Sequence, residues 1–251
     1  MNRSYYPVII ELASILSFLA IWQIVVTFNF VNPAFLASPS QVWSVFYDSA
    51  AVQKVSRGLD LLGYEVVGAF LLSLATAIPI GFAIGSNRFL HDSLDPYVVL
   101  FYTFPKIAAF PAIALVFGLG ATTNIVFGAV SGSSIVLFNT IHARRGVDDS
   151  VIKVAKSVGC NRIKIYQSVI VPSITPALFG TIRLGLLRSF AGVLESELLV
   201  PFLGIGLLIN QYTFAFKTPQ LYFTIVVVSL VVVAINFALL AWENRIGRWM
   251  K

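Results

Sequence analysis

Long apolar runs separated by short polar pieces organise this chain from end to end. The runs cover residues 8–30, 61–84, 97–117, 122–141, 176–199 and 221–242. Each approaches or exceeds the roughly 20 residues with which an α-helix crosses a bilayer core. The pattern predicts an all-α integral membrane protein with about six transmembrane helices, forming a single domain over residues 1–251. No convincing small-residue cleavage site interrupts residues 8–30, so this run is expected to remain as a first helix. In the mixed segment that follows, Ser38-Pro39-Ser40 precedes Val42, Trp43, Val45 and Phe46, predicting a short capped helix, either at the membrane interface or as a solvated loop helix. Gly81 and Gly85, and then Gly128 and Gly132, stand four residues apart and clear one helix face for the close approach of another. Pro105, Lys106 and Pro111 interrupt the third run. Proline removes a backbone donor, and unpaired backbone survives in a membrane only against protein or a watery cavity, so this helix should kink and line something.

The longest polar stretch, residues 142–171, has the markings of two short helices. Asp148, Asp149 and Ser150 suit an N-cap, and Val151, Ile152, Val154, Ala155 and Val158 supply an apolar face. Gly159 suits the left-handed residue that ends a helix. Asn161 then caps a second helix bearing Ile163, Tyr166 and Ile170, expected to stop before Pro172. Such a pair, lying across the mouth of a helical bundle, can receive a push from another protein.

Composition supports the membrane reading: 58% of residues are hydrophobic and 11% charged, against about 25% charged in soluble domains, and mean hydropathy is +0.87. Lys and Arg set the orientation, because cytosolic loops retain an excess of them. With both termini inside, the inner face holds Arg3, Arg88, Arg144, Arg145, Lys153, Lys156, Arg162, Lys164, Arg245, Arg248 and Lys251. The outer face holds Lys54, Arg57 and Lys217. The 142–171 segment is therefore expected in the cytosol, and the net charge of +6 needs no nucleic acid to explain it. Cys160, the single cysteine, is expected as a reduced thiol.

Little in the chain suggests catalysis. His91, Asp92 and Asp95 are the one compact group of metal-ligand types, but a turn between helices commonly holds such residues and no second cluster completes a site. A phosphate loop of the form G-x-x-x-x-G-K-[ST] is absent, so energy must come from a partner or an ion gradient. Charges inside spans are costly and invite a functional reading. Lys106, Arg183, Arg188 and Glu197 are candidates for a translocation pathway, with the three cations suited to attracting an anion. Helix-to-helix pairing of Arg183 and Arg188 with glutamates, Glu195 among them, is the competing reading, and Glu65 is expected to be structurally paired. On residue physics alone, a gradient-driven secondary transporter, a channel subunit or a structural membrane subunit stays open.

Lys153-Val-Ala-Lys-Ser-Val-Gly159-Cys-Asn-Arg162, followed by Val171-Pro172 and Pro176, resembles the EAA-loop signature of binding-protein-dependent ABC importer permeases. Leu36-Ala-Ser38-Pro39-Ser40, Phe104-Pro105-Lys106 through Pro111, Phe117-Gly118-Leu-Gly120, Gly180-Thr-Ile-Arg183 and Trp242-Glu243-Asn-Arg245 through Trp249 resemble the nitrate, sulfonate and taurine branch. The resemblance implies the type I importer fold and a core of two permeases, with a second copy or a paralogue as partner. It also implies two cytosolic ATPase subunits that hold ATP and Mg, and an extracytoplasmic substrate-binding protein, in a bacterial or archaeal plasma membrane. No cofactor is expected on this chain. Lys153, Ala155, Lys156, Ser157, Gly159 and Arg162 would form the ATPase coupling surface, with Ala155 and Gly159 permitting close contact. Lys153 stands where the signature usually has glutamate, reversing a charge expected at that contact.

Overall fold

The computed structural model describes residues 6–247; Arg3, Arg248, Trp249 and Lys251 lie outside the described residues. Within them the secondary structure is helical throughout: α1 (Tyr6–Thr27), α2 (Pro39–Ser44), α3 (Ser49–Ser86), α4 (Arg88–Thr103), α5 (Phe110–Phe117), α6 (Ala121–Arg145), α7 (Asp149–Ser157), α8 (Arg162–Ile165), α9 (Val171–Leu199), α10 (Gly204–Phe214) and α11 (Thr218–Gly247). Five helices are long and apolar enough to cross a membrane, and six crossings result if the bent pair α4–α5 counts as one.

Three helices, α3, α6 and α9, form the centre, with α10 and α11 packed on α3 and α9, and α4 and α5 on α6. Small residues set the separation, as the four-residue glycine spacing predicts. A Cβ on Gly81 would lie 2.9 Å from Thr140 Cβ and 3.1 Å from the Leu137 carbonyl, so α3 and α6 touch at backbone distance there. Further along α6, a Cβ on Gly128 would lie 2.5 Å from Val193 Cγ2 of α9 and 2.9 Å from Ala69 Cβ of α3. Leu62, Val66, Phe190, Val193, Ile205 and Phe223 fill the core around these contacts. By contrast, α1 stands at the periphery, reaching α11 through Trp22 and Tyr222, whose rings are 6.1 Å apart. Ile9, Ile10, Leu12, Ile15 and Leu16 all face outward, as a lipid-facing helix requires. The short capped helix forms as predicted: α2 begins with a full capping box between Ser38 and Gln41.

The structure corrects four expectations. The second span starts at Ser49 rather than residue 61, capped by Asp48, which accepts from Ala50 N and Ala51 N at 3.1 Å each. Its 38 residues extend about 57 Å at 1.5 Å per residue. The polar residues Lys54, Arg57 and Asp60 are the exposed face of a helix whose Ala51, Val55, Gly58 and Leu62 are buried, a helical period that a hydropathy run does not reveal. The third span begins at Arg88, and α4 is bent by 90° from the Lys106–Phe117 segment that ends in α5, across a break at residues 104–105. The kink expected from the prolines is thus a break. Pro172 does not stop the second helix of the 142–171 segment. A π-turn at Tyr166–Ile170 carries α8 into α9, and proline is tolerated in a first helical turn, where its missing N–H has no partner to lose. Finally, the 200–219 loop contains α10, which no apolar run announces.

Candidate coupling surface and membrane-embedded charges

The pair α7–α8 forms from local chemistry. Asp148 caps α7 by accepting from Ser150 N at 2.7 Å, and this hydrogen bond holds the Asp148 carboxyl below its ordinary value. The helix closes with a Schellman arrangement in which Cys160 N donates to the Ala155 carbonyl at 3.1 Å and Gly159 N to that of Lys156 at 3.0 Å. Gly159 sits at φ +81°, the left-handed conformation predicted for it. Asn161 then caps α8 through Lys164 N at 2.8 Å. Ala155, Ile165 and Ile170 form a small core with Phe82, Ile152, Cys160 and Val169, and the Phe82 and Tyr166 rings, 5.8 Å apart, join it to α3.

This core changes the assignment of Ala155. The residue faces its own chain and is buried, so it holds α7 on the bundle rather than offering a contact to another protein. Lys153, Lys156, Ser157, Gly159 and Arg162 are all exposed. Between them lies an exposed apolar surface formed by Val151, Val154, Val158 and Ile163, of which Val158 is 73% exposed. The apolar positions of α7 thus divide between an inner and an outer face.

The four candidate pathway residues do not come together. Arg183 is held by α11: its Nε donates to Glu243 Oε2 at 2.9 Å and its Nη1 to Asn236 Oδ1 at 3.3 Å. Pairing across helices is therefore its role, with Glu243 as partner rather than Glu195 or Glu197. Glu197 has no exposed surface and accepts from Gly206 N at 2.7 Å, which takes it out of any open path. Lys106 is 5% exposed. Its Nζ donates to the Tyr102 carbonyl at 2.6 Å and lies 5.7 Å from the centre of the Phe101 ring, so it folds back to cap the end of α4. Arg188 alone is presented on an exposed helix face, close enough to Lys106 for the two cations to repel. Among the described residues, neither has a carboxylate within ion-pair distance.

Glu65 is paired with Asn124 of α6, a partner the sequence did not name, although an asparagine near the start of an apolar run was the available signal. His91 turns to Asp92 and Asp95, at 3.1 and 3.6 Å, and no group of three or more His, Cys, Asp or Glu able to hold a metal occurs among the described residues.

Five or six helices able to cross a membrane, packed around the α3–α6–α9 centre, make this a multi-pass helical bundle. Residues 77–251 match the family described as binding-protein-dependent transport system inner membrane component, and the chain belongs to that family. It is the membrane-embedded permease component of an ABC importer. It is 24% identical over 251 residues to the taurine transport system permease protein TauC of Escherichia coli (strain K12), covering 96% of this chain and 90% of that one. It is 26% identical over 249 residues to the riboflavin transport system permease protein RibX of Chloroflexus aurantiacus, covering 99% and 93%. Its fold matches a chain of the inward-facing MetNI methionine ABC transporter with a TM-score of 0.69 at 17% identity, over 81% of this chain and 99% of the other.

Proposed function

We propose that this permease pairs with a second copy or a paralogue, is driven by two cytosolic ATPases bearing ATP and Mg, and receives a small polar, anionic solute from an external binding protein. Both termini and residues 142–171 lie in the cytosol in this reading, supported by the distribution of Lys and Arg. The observation that carries it is the outer face of α7 and α8. Val154, Val158 and Ile163 are exposed there beside Lys153, Lys156 and Arg162, while Ala155, Ile165 and Ile170 fasten the same helices to the bundle. A push on that face is delivered through the π-turn into α9 and through Tyr166 and Phe82 into α3. Lys153 calls for an acidic partner on the ATPase, or for a paralogous permease that keeps the usual glutamate. The exposed, unpaired Arg188 beside Lys106 supports an anionic solute, since a cation on a low-dielectric wall raises the local concentration of anions.

Two experiments test this. Purification of the tagged chain from its native membrane in mild detergent should bring an ATPase with it. Val154→Asp and Val158→Asp should remove that ATPase without unfolding the exposed site. Recovery of a folded chain with no ATPase would overturn the reading in favour of a gradient-driven carrier or channel. For the solute, Arg188→Gln should lower uptake of an organic sulfonate or nitrate while leaving the ATPase bound; unchanged uptake would remove Arg188 from the pathway.

A further inference from the structure

Glu65 of α3 and Glu197 of α9 meet in the core, and neither has any exposed surface. Asn124 of α6 donates through Nδ2 to both Glu65 oxygens at 3.1 Å, and its Oδ1 accepts from Ser196 Oγ at 2.6 Å. Glu197 Oε2 accepts from the backbone N–H of Gly206. Its other oxygen, Oε1, is buried and has no donor. The two carboxyl groups belong to one buried cluster, in which Asn124 and Ser196 link Glu65 to the residue next to Glu197.

Carboxylate oxygens only accept hydrogen bonds, so contact between two of them needs a hydrogen in between. A pair of bare anions in contact in a low-dielectric interior repel strongly, and like-charged carboxyls sharing a site keep a proton for this reason. No Lys, Arg or His lies within ion-pair distance of either group among the described residues. The charged neighbours on the same helices are engaged or turned away: Arg183 is bound to Glu243, Glu195 is half-exposed and Asp60 is exposed. A metal ion does not suit the site. Asn124 presents N–H groups to Glu65, its carbonyl is taken by Ser196, and Glu197 Oε2 is taken by a backbone donor, whereas a hard cation needs about six oxygens. Space is also lacking, because a Cβ on Gly204 or Gly206 would collide with Glu197.

We propose that Glu65 and Glu197 bind a single proton between them, carried on Glu197 Oε1 and donated to the Glu65 carboxylate. The proton completes every hydrogen bond in the cluster and leaves one negative charge where there would be two. It thereby clasps α3, α6 and α9 to the turn at Gly204–Gly206 that starts α10, so that α10 moves with the three-helix centre.

The test uses the permease with its associated subunits, reconstituted in lipid at neutral pH, and reads the infrared carbonyl stretch of a protonated carboxyl. The wild-type protein should show this band, and Glu65→Gln and Glu197→Gln should each lose it, since an amide can supply the bridging hydrogen to the remaining carboxylate. For the same reason both glutamine variants should assemble and melt close to wild type, whereas Glu197→Ala should not. A wild type without the band, a band that survives both glutamine variants, or a Glu197→Gln variant as damaged as Glu197→Ala would each overturn the proposal.

Discussion

If backbone-distance contact between α3, α6 and α9 holds the bundle together, adding one methyl group should destabilise it in proportion to what that methyl meets. Gly128→Ala places a Cβ 2.5 Å from Val193 Cγ2, 2.9 Å from Ala69 Cβ and 3.1 Å from the Ser189 carbonyl. Ordinary carbon contacts are about 3.5–4.0 Å, so α3 and α9 must both give way, by up to about 1 Å. Gly68→Ala meets only the Ile125 side chain, at 3.3–3.5 Å, and Gly63→Ala meets nothing within 4 Å. All three gain the same helix propensity, about 1 kcal/mol over glycine, so differences among them isolate packing. Overpacking typically costs about 1–3 kcal/mol, which is roughly a 5- to 150-fold shift in the folding equilibrium. For a chain of this size that is about 2–12 °C in Tm. Thermal melts of the three variants in one detergent should rank Gly63→Ala highest, Gly68→Ala between and Gly128→Ala lowest. Equal melting of Gly63→Ala and Gly128→Ala would refute the packing argument, because they differ only in the neighbours of the new methyl.

Three further outcomes follow from the same geometry. Gly159→Val puts a β-branched residue at φ +81° with open space around its Cβ, so it pays backbone strain alone, about 1–2 kcal/mol; ATP-driven uptake should fall while the melt of the membrane bundle is unchanged. Arg183→Ala leaves the half-buried Glu243 without its partner and should cost roughly 1–3 kcal/mol, between exposed and buried pairs; the double variant with Glu243→Ala should recover part of it in a thermal melt. Asp148 is held below its ordinary value of 3.8 by the Ser150 N–H, so its cap is fully present above that value and is lost as pH falls through the lower folded value. Asp148→Ala should therefore speed amide exchange in the first turn of α7 at neutral pH, and Asp148→Asn should keep the cap in acid.

The pair α7–α8 was legible in the sequence almost residue by residue, because a cap, a Schellman ending and a second cap are set by neighbours within six positions. Its division into two faces was not. Val151, Ile152, Val154, Ala155 and Val158 look alike as apolar residues, and only the packing of Ile165 and Ile170 on Ala155 decides which side is left for a partner. The candidate pathway charges were legible as misfits in apolar runs, yet their roles depend on residues 60 positions away in the case of Arg183 and Glu243.

By itself, then, the sequence determined a helical membrane protein of five or six spans, the close-packed glycine faces and the local capping of α7 and α8. These follow from apolar run length and from hydrogen bonds closed within one or two turns. The tertiary structure alone decided that α4 and α5 break by 90°, that α9 continues through a π-turn past Pro172, and that Glu65, Asn124, Ser196 and Glu197 converge from three helices. Such outcomes depend on which helices come together, since a buried polar group must find its partner wherever the fold places one.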